Sequence, residues 1–363
     1  MIYALMIVVL GVIGIYLYLQ SPVFGANPSG ERLKRIEQSP RYVQRAFQNA
    51  EHTEVMLPDA SYVGMIRDMI HKSKNTEPPA PLPSQVTDLK KLTAGTPAIV
   101  WFGHSSYLIK SRNISILVDP VFSGHASPVS FFGKAFAGAD VYGVADMPAI
   151  DVLVLTHDHY DHLDYSTIQK IHPQVKIIIT SLGVGAHLER WGVPAEKIYE
   201  LDWWEEKSIS DSVQLTATPA RHFSGRGLSR GKTAWSSFVL SLHGYKLFLG
   251  GDSGYDGQFK VIGEKWGPFD LALLEAGQYG VNWPYIHMLP EQTVNASRDL
   301  RARVLMPVHW GKFALAFHAW DEPIQRVMEK ALADSVEVTT PRIGEVVWID
   351  KHYPKERWWE GWE

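Results

Sequence analysis

Residues 156–164, Thr-His-Asp-His-Tyr-Asp-His-Leu-Asp, place His157, His159, Asp161 and His162 within six positions. Neutral imidazole and carboxylate are the ligands that divalent zinc prefers. The stretch follows Asp151-Val-Leu-Val-Leu155, a short apolar run of the kind that forms a buried strand. A loop at a strand end can turn several ligands toward one point. Alternation along its first residues sends His157 and His159 to one side, with Asp161 joining them. Four ligands are more than one catalytic ion takes from a single loop, so the spacing points to two ions. The competing reading is a polar loop with chance histidines.

Three further strand ends offer ligands of the same type. His222 follows the strand Val213–Thr218, Asp252 sits in Gly250-Gly-Asp-Ser-Gly254 after Lys246–Leu249, and His309 closes Val304-Leu-Met-Pro-Val-His309. The glycines beside Asp252 are read as leaving room for an ion. Asp158, Asp164 and backbone carbonyls are candidate acceptors to orient the imidazoles. The chain has no cysteine, which excludes disulfides and thiolate metal sites and leaves histidine and carboxylate as the strong ligands.

Around these positions the pattern is strands first (98–102, 107–110, 114–118), then a loop to about residue 149. Helices near 165–172 and 183–191 alternate with the strand 175–180, and strands return at 213–218, 236–242 and 246–249. A last set mixes 271–274, a helix near 290–300, 304–307, a helix near 322–333 and 345–349. Two strand-rich groups with intervening helices describe an α/β layered domain. It is expected to span residues 90–350. A helical connecting region with a proline-rich linker (residues 21–89) precedes it, with helical patterns at Leu33, Ile36, Tyr42, Val43, Phe47 and at Val63, Ile66, Ile70. A Trp-rich tail (residues 351–363) follows, either packed on the domain or lying at a membrane interface.

Residues 1–20 are the remaining element. Met1–Leu19 carry no charged side chain, and a helix of nineteen residues is about 28 Å long. With Arg32, Lys34, Arg35, Arg41 and Arg45 following, this predicts a transmembrane anchor with the rest of the chain cytoplasmic. The alternative is an export signal cleaved near Gly25. The chain has 363 residues, is 45% apolar and carries a formal net charge of −4. That balance, with no basic domain, argues against a nucleic-acid partner.

The ordered set H-x-H-x-D-H, His, Asp, His resembles the metallo-β-lactamase superfamily. Within it the chain is similar to the N-acylphosphatidylethanolamine-hydrolysing phospholipase D family. The stretches that carry the likeness include Trp101-Phe-Gly-His-Ser-Ser-Tyr-Leu-Ile109, Asp119-Pro-Val-Phe-Ser123, Glu200-Leu-Asp-Trp-Trp-Glu205, Gly251-Asp-Ser-Gly-Tyr255 and His309-Trp-Gly-Lys-Phe313. The resemblance implies an αββα sandwich and two zinc ions, although iron or manganese accepts the same ligands. It implies His157, His159 and His222 on one ion, Asp161, His162 and His309 on the other, and Asp252 between them. It also implies hydrolysis of a phospholipid phosphodiester, releasing phosphatidic acid and an N-acylethanolamine, with the bilayer as a partner. Asp161, Asp252 and His287 would carry the catalysis.

Several assignments stay open at this stage. His104 and His287 either hydrogen-bond substrate or are structural. Arg226, with Arg230 and Lys232, either accepts an anionic headgroup or forms a solvated loop. Tyr279 and Trp283 either wall an acyl site or pack in the core. The same metals would equally serve a lactonase or a soluble phosphodiesterase. A diiron oxygenase is expected to have a carboxylate in place of His159. A membrane-bound scaffold with a vestigial site is expected to have lost ligands, and no ligand position is missing. Oligomeric state is not legible.

Overall fold

In the computed structural model, residues 2–71 and 74–361 are described, and the tail positions Trp362 and Glu363 lie outside them. A seven-stranded sheet has the spatial order Val346–Trp348, Ala94–Trp101, Tyr107–Arg112, Ile114–Val118, Ile150–Leu155, Val175–Ser181, Ile198–Leu201. Its last four strands run parallel and the others antiparallel. A six-stranded sheet follows the order Leu305–Val308, Leu271–Glu275, Tyr245–Leu249, Ser237–Leu242, Val213–Thr218, Glu206–Ser210.

The second sheet shows why the layers form. Along its strands Phe238, Leu240, Leu247, Leu249, Leu271, Leu273 and Met306 face the seven-stranded sheet. The intervening Val239, Phe248, Ala272, Leu274 and Leu305 face outward with Phe259, Ile262, Val294 and Val327. Side chains on a strand alternate between faces, so a strand apolar at every position must be covered on both. The helices Gln258–Trp266, Pro290–Asp299 and Glu322–Ala333 supply those outer partners. On the far side Ile168, Ile171 and Leu188, from Tyr165–Ile171 and Gly185–Arg190, pack on the first sheet. The result is the expected αββα sandwich. The strand Glu206–Ser210 and the helix Gln258–Trp266 have no counterpart in the sequence reading.

The transmembrane anchor is not borne out, and neither is the membrane localisation built on it. Among the described residues, no helix is long and apolar enough to cross a membrane. The N-terminal helix runs over Ile2–Leu19, 18 residues and about 27 Å. At its last turn and just beyond, the chain docks on the domain: Tyr18 Oη donates to Pro128 O (2.9 Å), Arg190 to Gln20 O (2.8 Å) and Trp191 Nε1 to Pro22 O (2.6 Å).

Tyr42, Val43 and Phe47 also depart from the helical reading. Helix Gly30–Glu37 stops before Pro40, and Tyr42–Val43 pairs with Ala46–Phe47 as a two-stranded hairpin turning at Gln44 and Arg45, both at positive φ. The proline-rich stretch is extended but docked, with Leu82 buried and its N–H bonded to Ala137 O (2.8 Å). Trp358 and Trp359 are buried in the main core beside Trp101 and Trp310. Phe248→Ala, which empties the fully buried ring between the second sheet and helix Gln258–Trp266, is expected to cost about 3–5 kcal/mol of unfolding free energy, read by denaturant titration.

Candidate metal centre

The strand ends converge at one edge of the sandwich. Backbone hydrogen bonds tie them together: Gly254 N–H donates to Arg221 O (2.8 Å), His309 N–H to His104 O (2.9 Å) and His104 N–H to Trp310 O (2.9 Å). The metal loop is a turn, not a continued strand. Both His162 N–H and Leu163 N–H donate back to His159 O (3.1 and 2.8 Å). Strand alternation therefore does not govern where its side chains go, and Asp161 parts from His157 and His159.

Among the described residues three donor groups result, one of them (Asp252, Glu275, His287 and His309) sharing Asp252 and His309 with the other two. His157, His159, His222 and Asp252 bring one ligand atom each within 4.8 Å of one another, and so do His104, Asp161, His162 and His309. Asp252 faces both. Its Oδ2 lies 3.6 Å from His222 Nε2 and 3.8 Å from His157 Nε2, while Oδ1 lies 3.1 Å from His162 Nε2 and 3.2 Å from His309 Nδ1.

The hydrogen bonds behind the rings fix their tautomers. Thr156 Oγ1 donates to Asp119 Oδ2 (2.6 Å), so it must accept from His157 Nδ1–H (3.0 Å). His222 Nδ1–H donates to Ile286 O (2.8 Å) and His162 Nδ1–H to Asp119 Oδ2 (2.8 Å). A neutral imidazole has one donor and one acceptor nitrogen, so His157 and His222 present lone pairs at Nε2, and His162, whose surrounding carboxylates favour its charged form, does so once a metal replaces its second proton. Those of His157 and His222 both face His159 Nδ1, at 2.9 and 3.1 Å. At most one of these contacts is a hydrogen bond. The other leaves an imidazole lone pair with no proton to accept, which suits a cation between them.

Burial points the same way. Burial drives His157, His222 and His309 well below the usual imidazole range, keeping them neutral ligands. At His162 burial also opposes the charged form, but Asp252, Asp161 and Asp119 override it and raise the group. That is the negative field a divalent ion would meet. His162 Nε2, His309 Nε2 and Asp252 Oδ1 are buried without a hydrogen bond. Buried polar atoms normally have partners, and these three have the chemistry of metal ligands. The residues present fit a metal.

The orienting acceptors differ from Asp158 and Asp164. Asp158 accepts from Gly225 N–H (2.7 Å) and Thr233 Oγ1 (2.9 Å), with His187 Nε2 at 3.2 Å, and thereby anchors the metal loop. Asp164 caps helix Tyr165–Ile171 through Ser166 N–H (3.0 Å). Asp119, at the end of Ile114–Val118 with φ 40°, takes the role instead. Its signal was an Asp-Pro directly after a parallel-sheet strand. The glycines around Asp252 also serve a different purpose: Gly251 has φ 60°, and a Cβ on Gly254 would lie 1.8 Å from Tyr285 O. They make room for backbone, not for an ion.

A cavity of about 240 Å³ opens over the donors, lined by His159, Asp161, His222, Asp252, His287 and His309, with Met56, Phe223, Trp283 and Leu315 among its apolar walls. Asp161 and His287 retain 13% and 12% side-chain exposure, so they face the opening. His287 Nδ1–H donates to buried Glu275 Oε2 (2.6 Å), a partner the sequence did not reveal. Burial pushes Glu275 up to about 7, while Glu275 and then Asp252 outweigh burial at His287 and raise it to about 9.

His104 is wholly buried and donates Nε2–H to Asp161 Oδ2 (2.9 Å), so it orients that carboxylate and does not reach the cavity. Arg226 is buried too, its guanidinium bonded to Asp158 O, Leu163 O and Val23 O, which removes it as a headgroup contact at the donors. Arg230, exposed over the Phe223 ring, lines the cavity in its place. Tyr279 is buried and donates to Glu322 Oε1 (2.7 Å) outside the cavity, whereas Trp283 lines it.

Asp119→Asn keeps the shape of the acceptor but removes its charge. It is expected to weaken metal binding roughly 10- to 100-fold, measured by competition with a chromophoric chelator.

Residues 115–310 match the family model of the beta-lactamase superfamily domain. An uncharacterised protein of Mycobacterium tuberculosis is 38% identical over 328 residues, covering 89% of this chain and 88% of the relative. The N-acyl-phosphatidylethanolamine-hydrolyzing phospholipase D 1 of Caenorhabditis elegans is 32% identical over 228 residues, 59% of this chain and 64% of that one. Among solved structures, a metallo hydrolase of the archaeon Ignicoccus hospitalis shares the fold with a TM-score of 0.54 at 20% identity, covering 69% of this chain and 97% of that one.

Proposed function

We propose that this chain, a metal-dependent hydrolase that belongs to the metallo-β-lactamase superfamily, cleaves the phosphodiester of N-acylphosphatidylethanolamine-like lipids. The observation that carries the reading is the shared carboxylate of Asp252, facing two donor groups at the floor of a cavity with apolar walls. The likeness to phospholipases of this type in Caenorhabditis elegans and Saccharomyces cerevisiae, each 32% identical, supports the substrate class.

His157, His159, His222 and Asp252 would hold one ion, and Asp161, His162, His309 and Asp252 a second. Zinc suits the donor set, and iron or manganese would also be accepted. When bound, two such ions act as Lewis acids on phosphoryl oxygen and lower the pKa of water.

The residues facing the cavity divide the proton work. Asp161 has one oxygen held by His104; the other, assigned to the second ion, would orient the attacking water and accept its proton through its remaining lone pair. The water oxygen bonds to phosphorus as the bond from phosphorus to the ethanolamine oxygen breaks. His287, its Nδ1 committed to Glu275, gives a proton from Nε2 to that departing oxygen. Arg230 at the rim meets the phosphate charge, and Phe223, Trp283, Leu315 and Met56 take the adjoining apolar chain.

The test is metal analysis of the zinc-loaded protein together with hydrolysis of N-acylphosphatidylethanolamine in detergent micelles, following both products. Two ions per chain, with phosphatidic acid release abolished in Asp252→Ala, is the expected result. Metal uptake without lipid cleavage overturns the substrate and moves the search to lactones and soluble phosphodiesters. His287→Ala is expected to lower kcat about 100-fold with little change in KM. Arg230→Ala is expected to raise KM roughly three- to fivefold, since an exposed charge contact contributes modestly.

A further inference from the structure

The segment that precedes the domain is built into the metal site. Phe47 N–H donates to Gly231 O (2.8 Å) and Leu57 N–H to Asn282 O (2.9 Å). Residues 47–57 therefore run as a strap from the loop after His222 to the loop that carries His287. Thr53 Oγ1 accepts from Arg221 Nε (2.9 Å), and Val55 and Met56 line the same cavity as His159, His222, Asp252 and His287.

One pair of contacts in the strap is on a donor residue. Asn49 Nδ2 donates to His222 O (2.8 Å), and His222 N–H donates to Asn49 Oδ1 (3.0 Å). Trp235 Nε1–H donates to the same Oδ1 (3.1 Å), which fixes the amide's orientation. Asn49 stands 173 residues from His222 and outside the stretch 115–310 matched by the family model.

We propose that Asn49 is a positioning residue for His222, so that the strap is part of the active site. A planar amide bonded to both the N–H and the C=O of one residue fixes that residue's backbone in place and in rotation. The bond from His222 Nδ1–H to Ile286 O then fixes the ring, and together the three bonds aim Nε2 at His157, His159 and Asp252. Replacing a group that orients a ligand typically costs about 10- to 100-fold in metal affinity. This inference rests on the reading that each donor group takes its own ion.

The experiment is zinc titration against a competing chelator on full-length wild type, Asn49→Ala and Asn49→Asp, with thermal melting of the metal-free proteins. Asn49→Ala should loosen one of the two ions about tenfold and leave the other unchanged. Asn49→Asp keeps the acceptor for His222 N–H but loses the donor to His222 O, and should fall between wild type and Asn49→Ala. If Asn49→Ala does not fold, Asn49→Asp decides alone. A lowered melting temperature with both zinc affinities intact overturns the proposal, as does equal loosening of both ions. If wild type takes up a single ion, the two-ion reading fails by itself. Asn49 then stands if that ion loosens in Asn49→Ala and falls if it does not. Uptake of no ion overturns both.

Discussion

Lone pairs converging in a buried space are the constraint on which this structure depends. Thr156 and Ile286 O hold the outer nitrogens of His157 and His222, so their inner nitrogens have no proton to offer, and Asp119 holds the outer nitrogen of His162. Asp252 and Asp161 add negative charge at the same point. Burial strengthens every one of these interactions by keeping water out. Such an arrangement is stable only with positive charge at its centre, whether protons or a metal. The imidazoles pushed toward neutrality by burial favour the metal.

The scaffold makes that convergence possible because the donors sit at ends of strands whose other residues are locked by packing. Apolar residues on both faces of Leu271–Glu275 and Tyr245–Leu249 fix the second sheet between the first sheet and its helices, and register there leaves no freedom to slip. The loops at the edge are then bonded pairwise, His104 to His309 and Trp310, Arg221 to Gly254. Glu275 shows how far this goes. It lies at the end of a fully buried strand and accepts from Ser253 N–H and Met288 N–H as well as His287, joining the Asp252 loop to the His287 loop.

Outside the sandwich, the chain ahead of residue 90 adds contacts that the layers alone do not require. Arg32 bonds Glu189 and Glu200, Arg41 pairs with Asp202 and lies over the Trp203 ring, and Asn49 grips His222. The basic residues that suggested a cytoplasmic flank are largely engaged in pairing with the domain's own carboxylates. An apolar N-terminal run followed by arginines is thus a weaker signal than it looks, because ion pairing on a neighbouring surface selects the same residues as a membrane flank.

By itself the sequence marked the candidate donors and the layered architecture. Both are written in local pattern: donors bunched after an apolar strand, and apolar runs whose length and spacing call for cover on both faces. Which nitrogen of each histidine faces inward, and which carboxylate holds its other side, was decided only by tertiary structure. Asp119 and Asp164 look alike in sequence, yet one orients His162 and the other caps a helix. Arg226 and Arg230 stand four residues apart in one glycine-rich loop, yet one is buried against Asp158 O and Val23 O and the other is exposed at the cavity. Asn49 gave no local sign of its role. A hydrogen bond is short-ranged and directional, so its partner is set by what folding brings within about 3 Å, and chain neighbours carry no record of that.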